Sequence, residues 1–503
     1  MDPLVRLESV TIRHGIRQLV RDVSLAIYPG ESWVILGGNG AGKTVLTEAI
    51  AGLWRVTEGT IDYPALRNPD REIQIVSFES QSRVMDQERR QDDTNILHGA
   101  TDPGTSVREY LSGAEDRSQA RAAEPESAAE PESATGPESA AWELIERFGL
   151  REVLDRGLRY LSTGEIRKTL LCRALLLNPR LLILDDPFDG LDIASREELS
   201  RLIAHLAEED HALLLVLGRA AEVPLQVDRL LVMDAGRARY IGEPDGWRDA
   251  ENGSVAAEAV SLPVDASRDS RGDEALIAMR GVSVSYGAKV VLREITWEAH
   301  PGEVWHIIGP NGSGKTTLLS LIDGSNPKAY GQDLWLFGRR RGSGESVWEI
   351  KRKIGHVSAD FHRSYPSRAT ALEAVLSGFT DTAGLYEEPS GLHVDIARRW
   401  LAVLELSEQE DTPLKRLSFG QQRSLLVARA MVKMPPILIA DEPTQGLDDD
   451  HSHLVLRVLE RIGSETGTLL LYVSHDPTQR LRCTTHRMVL EPGPQGSRAI
   501  ISP

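Results

Sequence analysis

Apolar residues along the chain gather in short unbroken runs. SWVIL at 32–36, LLIL at 181–184 and ILIA at 437–440 are bounded by glycine or by acidic residues. Runs of this length, apolar at successive positions, predict strands buried on both faces, as in a parallel sheet. TVLTEAIAGL (44–53) and TTLLSLIDG (316–324) follow glycine-rich loops and predict helices, as do IRKTLLCRALL (166–176) and QRSLLVARAMV (422–432). Strand, glycine loop and helix in that order predict an α/β fold with a phosphate site at a helix N-terminus. No apolar run approaches the roughly 20 residues that span a bilayer.

The pattern occurs twice. GGNGAGKT (37–44) answers to GPNGSGKT (309–316), LSTGE (161–165) to LSFGQ (417–421), and LILDDPFDGLD (182–192) to LIADEPTQGLD (438–448). The lead-in VTIRHG, from Val10, matches VSVSYG, from Val282. Two homologous domains are expected, at 4–245 and 276–503. The polar stretch 246–275 has no clear period and is expected to be a linker. A second stretch, 118–141, repeats AEPES and is too poor in apolar residues to order itself; it is expected to be a disordered insertion in the first domain.

Composition adds a few bounds. The 503 residues suit two or three domains, and the net charge of −18 argues against a broad nucleic-acid footprint, which needs clustered Lys and Arg. Two cysteines, Cys172 and Cys483, point to a reducing compartment, and the start MDPLVRLESV lacks the layout of a secretory signal. A cytoplasmic protein is expected, peripheral at the inner face of the membrane if it serves a membrane partner. The one local basic patch is Arg339, Arg340 and Arg341 with Lys351, Arg352 and Lys353, and a solvated face is its expected role.

The repeated motifs carry phosphoryl chemistry. G-x-x-x-x-G-K-[ST] is a phosphate-binding loop whose backbone N–H groups converge on phosphate oxygens. Its candidate residues are Gly37, Gly38, Asn39, Gly40, Ala41, Gly42, Lys43 and Thr44, then Gly309, Pro310, Asn311, Gly312, Ser313, Gly314, Lys315, Thr316 and Thr317. Lys43 and Lys315 would reach the β- and γ-phosphates of ATP, and Thr44 and Thr316 would hold Mg²⁺. Of the acidic pairs, Asp185 and Asp441 would bind the Mg²⁺ shell, and Asp186 and Glu442 would position the attacking water. Ser162 and Gly164, and Ser418 and Gly420, stand at predicted helix N-termini, where hydroxyl, N–H groups and dipole favour an anion. Alone, LSxG is more often an N-cap; its place just before the acidic strand favours function.

This ordered set resembles the ATP-binding cassette (ABC) ATPases. The blocks YLSTGEIRKTLLCRALL, DPFDGLDIASR and LFGRRRGSGESVWEIKRKIGHVS narrow the resemblance to the ModF type of tandem ATPase, named for molybdenum transport. The resemblance implies two P-loop NTPase domains, each with a RecA-like core, an antiparallel β subdomain and a helical subdomain. It implies internal head-to-tail pairing, with Ser418 and Gly420 completing the first ATP site and Ser162 and Gly164 the second. It also implies that His475 contacts the γ-phosphate, that Tyr286 stacks on adenine, and that a separate membrane permease is the partner, with molybdate as cargo.

The first site departs from the family three times. Asp186 stands for glutamate, Gly218 stands where the second half has His475, and His14 stands for Tyr286. Losing a methylene withdraws the carboxylate by roughly 1.5 Å, and misplacement by about 1 Å can cost on the order of 100-fold in rate. The first site is therefore expected to hold ATP and hydrolyse it slowly, and the second to turn over. The glutamine by which transport cassettes sense a permease is replaced, by register, by Phe78 and Ala359, with Glu79, Gln81 or Asp360 as substitutes. That keeps a rival open: an ABC ATPase without a permease, acting on ribosomes or nucleic acid or in regulation. The ABC-F translation factors are such a class, but they usually carry a long charged helical linker and glutamate in both acidic pairs.

Overall fold

The computed structural model describes residues 2–15, 17–77, 84, 88, 104–113, 137–208, 211–224, 226–248, 262–263, 274–287, 289–358, 368–382 and 384–503. The chain divides into two compact units, Met1–Gly253 and Ser254–Pro503.

Each unit is built on a six-stranded sheet. In the first its spatial order is Ile73–Ser77, Leu181–Asp185, Ala212–Leu217, Ser32–Leu36, Arg229–Asp234 and Arg237–Gly242. The first five strands are parallel and the last pairs antiparallel at the edge. The second unit repeats the order with Ile354–Val357, Ile437–Asp441, Leu469–Ser474, Val304–Ile308, His486–Glu491 and Arg498–Ser502. The unbroken apolar runs follow from burial on both faces. Val34, Leu182, Leu184 and Leu215 pack against Leu171, Leu175, Leu199 and Ile203 of the helices Thr163–Leu176 and Ile193–Glu208. Ile35, Leu181, Ile183 and Val216 face the opposite layer, with Leu46 and Ile50 of the helix Lys43–Ile50 and Val5, Leu7 and Ile12 of an antiparallel sheet. Each such buried side chain contributes about 1.5–3 kcal/mol.

That antiparallel sheet has three strands in the first unit, ordered Arg17–Ile27, Val5–His14, Glu58–Asp62. In the second it has four, ordered Lys289–Ala299, Ile277–Tyr286, Leu334–Leu336, Arg339–Arg340. A helical layer completes each unit. In the second it comprises Ala371–Leu376, Gly391–Val403 and Phe419–Met431, packed around the buried Trp400. The fold is α/β, with the three parts expected in each half.

Three expectations need correction. The insertion does not reach residue 141: Pro137–Arg147 is a helix that opens on Pro137 and buries Ala141 and Ile145. Its apolar face supplies the burial that the AEPES repeats lack, and 118–136 lie outside the described residues. The stretch 246–275 is not linker throughout. Its first residues belong to the short helix Asp245–Arg248, whose Trp247 packs on Tyr240 at 5.8 Å, and Leu262 is buried in the core of the second unit. The basic run is not one solvated face. Arg339 and Arg340 are exposed, but Arg341 is buried, with its guanidinium 2.6 Å from Glu345 Oε1. The glutamine-equivalent positions 78 and 359, with 79, 81 and 360, lie outside the described residues.

Candidate functional site

In each unit the central strand of the sheet, Ser32–Leu36 or Val304–Ile308, runs into a glycine loop and then a helix, Lys43–Ile50 or Lys315–Ile322. The glycines are needed there. Gly42 and Gly314 cap the helices at φ 94° and 93°, in the left-handed region. A Cβ on Gly37 would stand 2.4 Å from the backbone oxygen of Met233. Neither helix has a side-chain cap, so the amides of its first turn face the loop, which suits a phosphate. Lys43 Nζ donates to the carbonyls of Gly37 (2.6 Å) and Gly38 (3.1 Å). Lys315 Nζ does the same to Gly309 (2.6 Å) and Pro310 (3.2 Å).

The acidic pairs close the strands Leu181–Asp185 and Ile437–Asp441, each separated from that central strand by one other, at the same end of the sheet. Asp185 is buried, its Oδ1 has no hydrogen-bond partner, and Thr44 hydrogen-bonds to its carboxyl. Burial first, and then the charge of Asp186, push the Asp185 carboxyl up to about 7, against the pull of Thr44 and Lys43. A buried carboxylate short of a cation, beside a threonine hydroxyl, fits Mg²⁺.

The second acids have the same backbone and different surroundings. Asp186 and Glu442 have left-handed φ of 48° and 46°, and their N–H groups donate to Val216 and Val473, each at 3.0 Å. The two carboxylates therefore differ by one methylene on superposable frames. Burial raises the Asp186 carboxyl above its ordinary range despite Lys43, Arg167 and Arg219. Burial acts on Glu442 too, but His475, Lys315 and Arg423 outweigh it and hold Glu442 low. His475 Nδ1 lies 3.3 Å from Glu442 Oε1. Gly218 occupies that place in the first unit, directly after Leu217, which pairs with Leu36 as Ser474 pairs with Ile308.

The serines of LSTGE and LSFGQ are N-caps. Ser162 accepts from Glu165 N–H at 3.2 Å, and Ser418 accepts from Gln421 N–H at 3.1 Å, each within a full capping box. Capping uses the oxygen as acceptor and so does not by itself oppose the anion-binding reading; Ser418 Oγ also lies 3.5 Å from His451 Nε2. Gly420 is sterically required: a Cβ there would stand 2.2 Å from the His451 ring. Its counterpart Gly164 faces only Ser195, at 3.3 Å.

The family model described as "ABC transporter" matches residues 20–189 and 292–445. The chain belongs to the ABC transporter family. It is 37% identical over 479 residues to the ABC transporter ATP-binding protein ModF of Escherichia coli, covering 93% of each chain. It is 28% identical to an uncharacterized ABC transporter ATP-binding protein of Schizosaccharomyces pombe, over 98% of this chain and 99% of that one. Among solved structures it resembles an archaeal ribosome recycling factor crystallised with ribosomal stalk protein aP1. There the TM-score is 0.58 at 20% identity, over 98% of this chain and 89% of that one, and the likeness is one of fold.

Other parts of the two ABC units also differ. Tyr286 ends its strand half-exposed, and its hydroxyl accepts from Asn326 Nδ2 at 2.9 Å. His14 has instead the edge of Trp54, with ring centroids 6.0 Å apart. Trp54 is a second aromatic at this position that the sequence reading missed. It also missed Arg167, which is buried and donates to the carbonyls of Asp186 (3.1 Å), Pro187 and Asp189, tying the helix of LSTGE to the turn after the acidic pair. Arg423, fully buried, reaches Gln445 O at 3.4 Å in the second unit. The signal was present: in both halves this arginine follows the signature serine at the same spacing. No helix among the described residues is long and apolar enough to cross a membrane.

Proposed function

We propose that the chain binds ATP in both units and hydrolyses it chiefly in the second, as the energising subunit of a transporter whose membrane part is a separate chain. The observation that carries the hydrolytic reading is the Glu442–His475 contact at 3.3 Å, beside a phosphate loop whose helix is uncapped. The transport reading is supported by the 37% identity to an ABC transporter ATP-binding protein over 93% of the chain. Molybdate as cargo follows from resemblance to that type alone. Internal head-to-tail pairing of the units belongs to the same reading.

The chain's own groups divide the work. Lys315 exchanges two backbone carbonyls for the β- and γ-phosphates, and the first-turn amides receive phosphate oxygens. Glu442, held ionised, orients water and accepts its proton as the water attacks phosphorus. His475 would reach the γ-phosphate through its ring edge, with its Nδ1 standing 3.3 Å from Glu442 Oε1. Thr44 with Asp185, and Thr316 with Asp441, would hold Mg²⁺, which when bound neutralises phosphate charge.

Asp185 gives this reading a pH dependence. Its folded value, about 7, lies above the ordinary carboxylate value, so the folded unit holds the extra proton between the two. Stability from this group is full at low pH and is lost as pH rises toward 7. A metal must displace that proton. Mg²⁺-dependent nucleotide binding in the first unit is therefore expected to weaken about 10-fold from pH 8 to pH 6. An Mg²⁺ titration with a fluorescent ATP analogue in the Lys315→Ala chain measures it. The slope should vanish in Asp185→Asn, and a flat profile in the parent would remove the assignment.

The test of the transport reading is a trapping experiment. Glu442→Gln is expressed in its native cells, held with ATP, and its co-purifying partners are identified from membrane and soluble fractions. A multi-spanning membrane protein is the expected partner. Ribosomes, nucleic acid or soluble proteins alone would replace transport with the rival role.

A further inference from the structure

The strand that leads into the second phosphate loop carries a buried polar residue that its counterpart lacks. His306, 1% exposed, occupies the middle of Val304–Ile308, where the first unit has the fully buried Val34. Its ring lies 5.0 Å from that of Tyr472, its cross-strand partner, and its Nε2 is 2.9 Å from Ser474 Oγ. Ser474, also buried, donates its hydroxyl proton to the backbone oxygen of Asp476 at 2.8 Å. That bond spans His475. At the corresponding places the first unit has Leu215 and Leu217, both buried, and the chain continues into Gly218. The polar group thus accompanies the histidine and is missing where the histidine is missing.

The proton inventory of this group is determined. Ser474 has one proton, and it goes to Asp476 O; Nε2 of His306 must therefore carry a hydrogen and donate to Ser474 Oγ. Burial, with the nearby charges of Arg487 and Arg480, holds the imidazole down to about 4, so it stays neutral and keeps this tautomer at working pH. The far side of the turn is pinned as well, because Thr478 N–H and Oγ1 donate to Asp476 Oδ1 at 2.8 and 2.6 Å.

We propose that His306 is a positioning residue for hydrolysis in the second unit: by donating to Ser474 Oγ it directs that hydroxyl onto Asp476 and locks the turn that aims His475 at Glu442. This rests on the ATPase reading above. His306 is buried within the sheet, in the middle of its strand and outside the phosphate loop, so its loss should lower kcat and leave nucleotide affinity alone.

The test uses the full chain carrying Asp186→Asn, which removes the acid of the first unit. His306→Val, the residue of the first unit, is expected to lower kcat about 10-fold with KM for ATP within about two-fold. His306→Gln places an amide N–H near the position of Nε2 and should recover most of the loss. Ser474→Ala should lose as much as His306→Val, and the two changes together no more than either alone. An undiminished kcat in His306→Val, a loss confined to KM, or Ser474→Ala at the parental rate overturns the assignment. Should His306→Val not fold, Ser474→Ala and His306→Gln decide it. A parent without turnover overturns the ATPase reading itself, whereas a parent that turns over beside unaffected variants overturns only the role of His306.

Discussion

Glu442→Gln is expected to lower ATP turnover by about 100-fold or more, and Asp186→Asn by no more than about two-fold. Both substitutions replace a carboxylate by its amide on the same left-handed turn, so backbone strain is common to the two and cancels. The difference lies in reach and charge. Glu442 extends to 3.3 Å from His475 and is held ionised by it, while Asp186 is one methylene shorter and is driven by burial toward its neutral form. A carboxylate that stops short of the water is the poorer acceptor of its proton. Steady-state phosphate release from the two full-length variants measures the contrast. Equal losses would mean that Asp186 works through a relocated water, and the asymmetry would fall.

What the sequence made legible, and what it did not, follows from the kind of constraint involved. Strands buried on both faces need unbroken apolar runs, so SWVIL, LLIL and ILIA could be placed from composition alone. The phosphate loops were legible because their glycines answer to backbone geometry: Gly42 and Gly314 take φ values that other residues rarely adopt. The substitution of Asp186 for glutamate was visible as a letter. Its electrostatic consequence was not, because the field at Glu442 comes from His475 and Arg423, which other elements supply.

The misreadings have the same origin. Composition placed the end of the insertion at 141, although PESAAWELIER carries a proline for its first helical turn and apolar positions that bury Ala141 and Ile145. Charge counting treated Arg341 like its neighbours, although Glu345 stands four residues on and buries with it. Arg167 was passed over because one arginine in a helix is ordinary. Only its recurrence as Arg423, in a second copy of the helix, sets it apart. His306 was invisible for a related reason: a histidine in an apolar strand has no meaning until the strand beside it brings Ser474 within reach.

Installing the missing groups is expected to move hydrolysis to the first unit. In the Glu442→Gln chain, whose turnover is nearly abolished, Asp186→Glu with Gly218→His should raise ATP turnover about 10-fold or more. The frame is already in place: Asp186 N–H donates to Val216 as Glu442 N–H donates to Val473, both at 3.0 Å, and Leu217 pairs with Leu36 as Ser474 pairs with Ile308. Asp186→Glu alone should give less, because Lys43, Arg167 and Arg219 do not outweigh the burial that raises the carboxyl and no histidine at 218 adds to them. Gly218→His alone should give less again, because a ring at that place would meet a carboxylate that is too short. The gain of the pair should therefore exceed the product of the single gains, which a double-mutant cycle on turnover measures directly. If the pair stays at the level of Glu442→Gln, the lesion of the first unit lies elsewhere. The apolar support of residue 218 by Val34 and Leu217, where the second unit has His306 and Ser474, would then be the next difference to remove.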